Sequence, residues 1–225
     1  MSNAAAYADT RVRIIELLRA CTDGELGTRA PATPAWSVRD LAAHVTGIAV
    51  DVTTGNLEGL GSDPWTEAQV AARRPLAMED VITEWEVAAA KVEEGLDEWP
   101  GASGSFIVAD LATHEQDIRG ALRRPGGEGS PGFDIALQLY VAGVDRRLRK
   151  RGLPAMRISA GTDEWLLGEG APAATLTATP YELFRAVAGR RSKRQTASYD
   201  WSGKADQVLE AIPQFPYAAE DIVEV

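Results

Sequence analysis

The stretch Ile107–Ala121 constrains this chain more than any other. Read as a helix, it places Ile107, Leu111, His114, Ile118 and Ala121 on one face, and Asp110 joins them. The inward face of a helix is apolar, because a buried polar group must find a partner to offset its lost hydration. Here a carboxylate and an imidazole share that face one turn apart. The chain has only two histidines, and the other lies in a second helix with the same anomaly. Leu41, His44, Val45 and Ile48 are spaced i, i+3, i+4, i+7, so His44 also points inward. Any fold for this chain must accept two inward imidazoles and one inward carboxylate on two helices.

Asp110 and His114 can reach one point, and His44 from an antiparallel neighbour could complete a facial set of three. Three N/O donors with an open position form the pattern of a catalytic zinc or similar divalent ion. A buried His–Asp hydrogen bond between helices is the competing structural reading. Asp117, near His114 in the next turn, can orient its second ring nitrogen as outer carboxylates do, or pair with Arg39, Arg119 or solvent. Asp40 stands three residues after Ser37, the spacing of a capping box, and is read as a cap rather than a fourth ligand. Cys21 continues the apolar stripe of Ile14, Leu17 and Leu18 and is read as packing rather than a nucleophile. There is no Gly-rich phosphate loop, no Gly-x-Ser-x-Gly elbow and no Cys-x-x-Cys.

The spacing predicts a first helix over Ala4–Cys21 and a loop over Thr22–Pro34. A second helix runs from Ser37 to about Leu60, weakened at Thr53, Thr54 and Gly55. Gly61–Pro75 is a linker with a short helix over Thr66–Arg73. Ile82, Trp85, Ala89, Val92, Leu96 and Trp99 mark the seam of a third helix, Met78–Trp99, stopped by Pro100-Gly101. The fourth helix is Ser105–Arg123 and the fifth Phe133–Lys150, with Leu137, Tyr140, Val141, Val144 and Leu148 inward. Arg146, Arg147, Arg149 and Lys150 crowd the end of the fifth helix, where the dipole favours cations, and are read as a solvated helix end. After Pro154 the period changes. Met156–Ser159 and Trp165–Leu167 read as strands around the turn Ala160–Asp163, and Ala174–Thr179 alternates as a half-buried strand does. Thr179-Pro180-Tyr181-Glu182 opens a helix that ends at Gly189. The expected fold is α+β: an all-helical domain over 1–152, then a small α/β domain over 153–225.

A net charge of −10 argues against nucleic acid or an anionic membrane surface as partner. No apolar run approaches the roughly 20 residues of a membrane span, and no signal peptide is visible. The single cysteine rules out an internal disulfide and fits a reducing cytoplasm.

Trp36-Ser-Val-Arg-Asp-Leu-Ala-Ala-His44-Val-Thr-Gly47 resembles the opening signature of the metal-binding domain of the mycothiol-dependent maleylpyruvate isomerase family, within the broader DinB-like four-helix bundles. Asp110-x-x-x-His114-x-x-Asp117-Ile-Arg119-x-Ala-Leu is similar to its second ligand motif, with Asp110 where the family usually has Glu. Leu176–Ser192, including Pro180-Tyr-Glu-Leu-Phe-Arg185 and Gly189-Arg190-Arg191, resembles its smaller, sterol-carrier-like C-terminal domain.

The resemblance implies an up-down helical bundle in which His44, Asp110 and His114 hold a divalent metal, usually zinc. It implies mycothiol as a low-molecular-weight thiol cosubstrate, whose sulfur takes the open position and attacks an electrophilic carbon. Addition to a cis double bond would permit rotation and elimination to the trans acid; in relatives the outcome would be thiol transfer. Arg190 or Arg191 is the nearest match to an arginine that binds a substrate carboxylate. The leading expectation is a cytoplasmic, metal-dependent isomerase or S-transferase acting on a small electrophile. The rivals are a non-catalytic small-ligand-binding protein of the same fold and a bundle in which the His–Asp cluster is structural.

Overall fold

The computed structural model describes residues 1–100 and 102–224. Gly101, read with Pro100 as the stop of the third helix, lies outside the described residues. The chain divides into two compact units, Met1–Ile135 joined by Glu224, and Ala136–Val223. The division falls inside a helix, whereas the sequence reading places its boundary after that helix, at 152.

In the first unit, α1 (Asn3–Arg19), α3 (Val38–Thr54), α5 (Met78–Gly95) and α6 (Ser103–Leu122) form a four-helix bundle. α1 packs on α5 and α6, and α3 packs on the same two. The core is the set of residues their spacing predicts: Ile14, Leu18, Leu41, Val45, Ile82, Trp85, Ala89, Val92, Leu111 and Ile118 are all buried. Fully burying one such side chain contributes about 1.5–3 kcal/mol. At the centre the indole N–H of Trp85 donates to the Tyr7 hydroxyl at 3.0 Å, so even this polar atom is satisfied.

Local chemistry sets the ends of these helices. Ser37 and Asp40 form the capping box at the start of α3, each side chain bonding the other's backbone N–H. α3 stops at Thr54 rather than near Leu60. Gly55 follows it at φ 78, a left-handed cap that a residue with a Cβ adopts only at a cost. α5 likewise ends at Gly95 and tightens into a single 3₁₀ turn over Leu96–Glu98 instead of continuing to Trp99. The linker helix, α4 (Asp63–Arg73), is longer than predicted because Pro64 starts it in the first turn. It packs on α3. The predicted loop after α1 contains a one-turn helix, α2 (Asp23–Leu26), with its own Thr22/Glu25 capping box. It also contains a short antiparallel ribbon, β1 (Arg29–Ala30) and β2 (Thr33–Ser37).

α7 (Pro131–Arg151) leads into the second unit. Leu137, Tyr140, Val141, Val144 and Leu148 are buried there, as their spacing predicts. A four-stranded sheet follows in the order β4 (Asp163–Leu167), β3 (Met156–Ala160), β5 (Ala174–Ala178), β6 (Asp200–Gly203). β3 pairs antiparallel with β4 and parallel with β5, and β6 pairs antiparallel with β5. α8 (Pro180–Val187) is capped by Thr179, and α9 (Lys193–Ala197) by a Ser192/Gln195 box. The basic end of α7 is not wholly a solvated patch. Arg147 donates to the carbonyls of Ala211 and Ile212 and to Gln214, and clasps the C-terminal segment. Burial, with Arg146 and Arg151 nearby, pushes its guanidinium down to about 10. Among the described residues no helix is long and apolar enough to cross a membrane.

Candidate metal centre

α3 and α6 pack side by side, and the inward anomalies of the two helices meet. His44, Asp110 and His114 each offer a ligand atom, and these atoms all lie within 4.8 Å of one another. The His114 Nε2 is 3.6 Å from an Asp110 carboxylate oxygen. In a tetrahedral site with ligand distances of about 2.0–2.2 Å, donor atoms stand about 3.3–3.6 Å apart. Asp110 is one methylene shorter than glutamate, and in this pair it still approaches His114 as closely as shared coordination needs. The two imidazoles stand edge to face, with centroids 5.0 Å apart.

What lies behind each histidine determines which nitrogen faces the cluster. The buried Asp117 carboxylate sits 3.0 Å from the His114 Nδ1. An ionised carboxylate only accepts, so Nδ1 carries the proton and Nε2 is the atom able to ligate. For His44 the same logic runs through two side chains. Asp51 accepts from the Gln69 amide nitrogen at 2.6 Å and from the Asn56 amide at 2.9 Å. That fixes the Gln69 oxygen toward the His44 Nδ1, 2.8 Å away. His44 Nδ1 is therefore the donor, and Nε2 is the atom able to ligate. Two imidazoles held in one tautomer beside a carboxylate fit a divalent ion.

Gln69 reaches His44 because α3 and α4 approach closely at Gly47. A Cβ on Gly47 would lie 2.4 Å from the Gln69 Cβ. The Gly47 of the His44-Val-Thr-Gly47 stretch is thus a packing requirement of the site. Trp36, half-buried at the end of β2, sets its ring 4.8 Å from that of His44 and 6.2 Å from that of His114. The indole walls one side of the cluster. The Asp110 side is more open: its side chain is 37% exposed against 6% for His114. A hollow of about 10 Å³, room for about one water, adjoins Asp110 between Tyr7, Val45, Ile48, Ile107 and Leu111. Burial pushes the Tyr7 phenol up to about 12, so it stays protonated there.

The residues read as structural keep those roles. Asp40 is held by Ser37 and Arg74 at the cap. The Cys21 thiol lies against the Leu17 carbonyl at 3.1 Å, and burial pushes its pKa up, away from thiolate chemistry.

The model of the mycothiol maleylpyruvate isomerase N-terminal domain matches residues 7–133, more than half of the chain. The chain belongs to this family. Two crystal structures of the mycothiol-dependent maleylpyruvate isomerase, one of a His-to-Ala mutant, match it with a TM-score of 0.64 at 13% and 14% identity. Each match covers 92% of this chain and 94% of the other. At that identity they show the shared fold. No curated protein matches the chain.

Of the family-suggested arginines, both stand just after α8 in the second unit. Arg191 is buried, and its guanidinium forms two 2.8 Å bonds to the Glu182 carboxylate. Glu182 also accepts from the Tyr199 hydroxyl at 2.6 Å. Arg190 is half-buried and donates to the Ala188 carbonyl at 3.4 Å. The sequence reading missed Gln69, Asp51 and Tyr7 around the centre.

Proposed function

We propose that this chain is a metal-dependent enzyme that uses mycothiol as a cosubstrate, as an isomerase or S-transferase acting on a small electrophile. The observation that carries this is the convergence of His44, Asp110 and His114 in a bundle of this family. These three residues would hold a divalent ion, zinc in this reading. Such an ion would supply the positive charge that keeps a thiol ionised near neutral pH. Asp117 and, through Gln69, Asp51 hold the two imidazoles in their ligating tautomer. Trp36 keeps water from one side, and the Asp110 side remains the approach for thiol and substrate. The guanidinium of Arg191 is committed to Glu182, so we assign to Arg190 the binding of a substrate carboxylate. The half-buried single cysteine supports a cytoplasmic location.

The test pairs metal content with thiol chemistry. Protein purified without added metal should contain about one divalent ion per chain by elemental analysis. It should also accelerate consumption of an electrophilic olefin by mycothiol. His114→Ala should lose both while its circular dichroism stays helical. A wild-type protein with no metal and no thiol-dependent rate would overturn the reading.

A further inference from the structure

A cleft of about 430 Å³ lies in the first unit between the end of α3 and the start of α6. Its walls are Val52, Leu57, Leu60, Trp99, Phe106 and Ile107, and its one hydroxyl is Ser103. Among the described residues no charged side chain lines it. Leu57, Leu60 and Phe106 remain 46%, 60% and 44% exposed, a cluster of large apolar groups left open to water. Packing within the unit does not account for that, and such a group marks a binding surface. The volume lies in the range of small-molecule pockets, about 300–1,000 Å³.

The position of the cleft ties it to the metal centre. Ile107 lines both this cleft and the hollow beside Asp110. Val52 lies eight residues beyond His44 on α3, and Phe106 eight residues before His114 on α6. At 1.5 Å per residue each helix carries the chain about 12 Å from ligand to cleft. The cleft adjoins the centre on its Asp110 side, which is the side more open to solvent.

We infer that the substrate carries an apolar arm, aryl or branched alkyl, which seats in this cleft while its electrophilic carbon lies at the centre. This rests on the thiol-enzyme reading above and deepens it. A small dicarboxylate fills neither the volume nor the chemistry of these walls, since the described lining offers a carboxylate only the Ser103 hydroxyl and the Trp99 indole N–H and no cation. A compound with an apolar arm of about 12 Å or less satisfies both.

The test is binding of a neutral apolar fluorophore, N-phenylnaphthylamine, to the full chain, with metal content measured on the same samples. Wild-type protein should bind it saturably. Leu60→Asp should weaken binding by about tenfold or more, as expected for replacing an apolar contact by a charge. Leu60 is mostly exposed, so this variant should fold, and Leu57→Asp is a second of the same kind. Val12→Asp, an exposed site on α1 outside the cleft, should bind as wild type does. Maleate should not displace the probe. Absence of saturable binding, unchanged binding in both leucine variants, or displacement by maleate would each overturn the inference. Metal content reports separately on the thiol-enzyme reading: metal-free protein that binds the probe and loses it in Leu60→Asp would keep the cleft and overturn that reading.

Discussion

The Asp117 carboxylate lies 3.0 Å from the His114 Nδ1, wholly buried, one turn along the same helix. It therefore sets the tautomer and ring orientation of His114, leaving Nε2 as the atom that faces Asp110. Asp117→Asn keeps the side chain's shape but removes the charge. Its metal affinity should fall by about 10–100-fold, the range typical for loss of such a partner. Competition with a chromogenic chelator measures this. Unchanged affinity would mean that Asp117 serves packing alone.

His44 depends on a longer arrangement, and Gly47 tests it without touching a polar group. In Gly47→Ala the new Cβ overlaps Gln69, so α4 must shift and the Gln69–His44 bond must lengthen. Metal affinity should drop about as far as in Gln69→Leu, and the double variant should be little worse than either. Non-additivity of this kind is the sign of one shared path. Full additivity in metal titrations would show that the glycine and the glutamine act independently.

The candidate metal cluster is legible in the sequence because helical period and residue chemistry conflict there: His44, Asp110 and His114 are polar groups on otherwise apolar faces. The same rule applies to Gln69 and Asp51. Trp65, Gln69 and Arg73 are spaced i, i+4, i+8 and all are buried, and Asp51 follows His44 by seven. The linker spacing predicts only Thr66–Arg73, too short a piece to display that face. α2 and α9 carry visible capping boxes, but elements of four and five residues have no face to read. β6 is held by pairing with β5, a contact between distant parts of the chain that four residues cannot announce. The cleft is illegible for a different reason: its walls are ordinary apolar residues, and only their arrangement leaves a space.

The α3 cap predicts a pH dependence. Burial pushes the Asp40 carboxyl up, but bonds from the Ser37 backbone N–H and hydroxyl and from Arg74 outweigh it and hold its pKa below the usual aspartate value. A carboxyl with a depressed folded pKa stabilises fully above its unfolded value, about 3.9, and loses that contribution as pH falls through the folded one. Asp40→Asn should cost about 1 kcal/mol at pH 7, in the range of a lost cap. The difference from wild type should be constant between pH 5 and 7 (about the range above the titration) and shrink below about pH 4. Urea unfolding across that range measures it. A difference that grows on acidification would contradict the assignment.

The adjacent arginines Arg190 and Arg191 should behave oppositely. Arg191 is buried and paired to Glu182, whose carboxyl is pushed up by burial but held below its usual pKa by Arg191 and Tyr199. Removing one member of a fully buried pair costs about 3–5 kcal/mol, because the other charge is left without compensation. Here the Glu182 side chain is about one-third open to water, so Arg191→Ala should cost less, about 1–3 kcal/mol. Glu182→Gln should destabilise in the same direction, since it leaves the buried guanidinium without its carboxylate. Arg190→Ala should leave the melting temperature nearly unchanged and raise KM for a carboxylate-bearing electrophile by about 10–100-fold, the loss of a charge-assisted hydrogen bond. Metal content and the rate with an uncharged electrophile should stay at wild-type level in that variant. If Arg190→Ala lowers the two rates equally, Arg190 does not bind the carboxylate. If Arg191→Ala melts with wild type and alone raises KM, the roles of the two arginines are reversed.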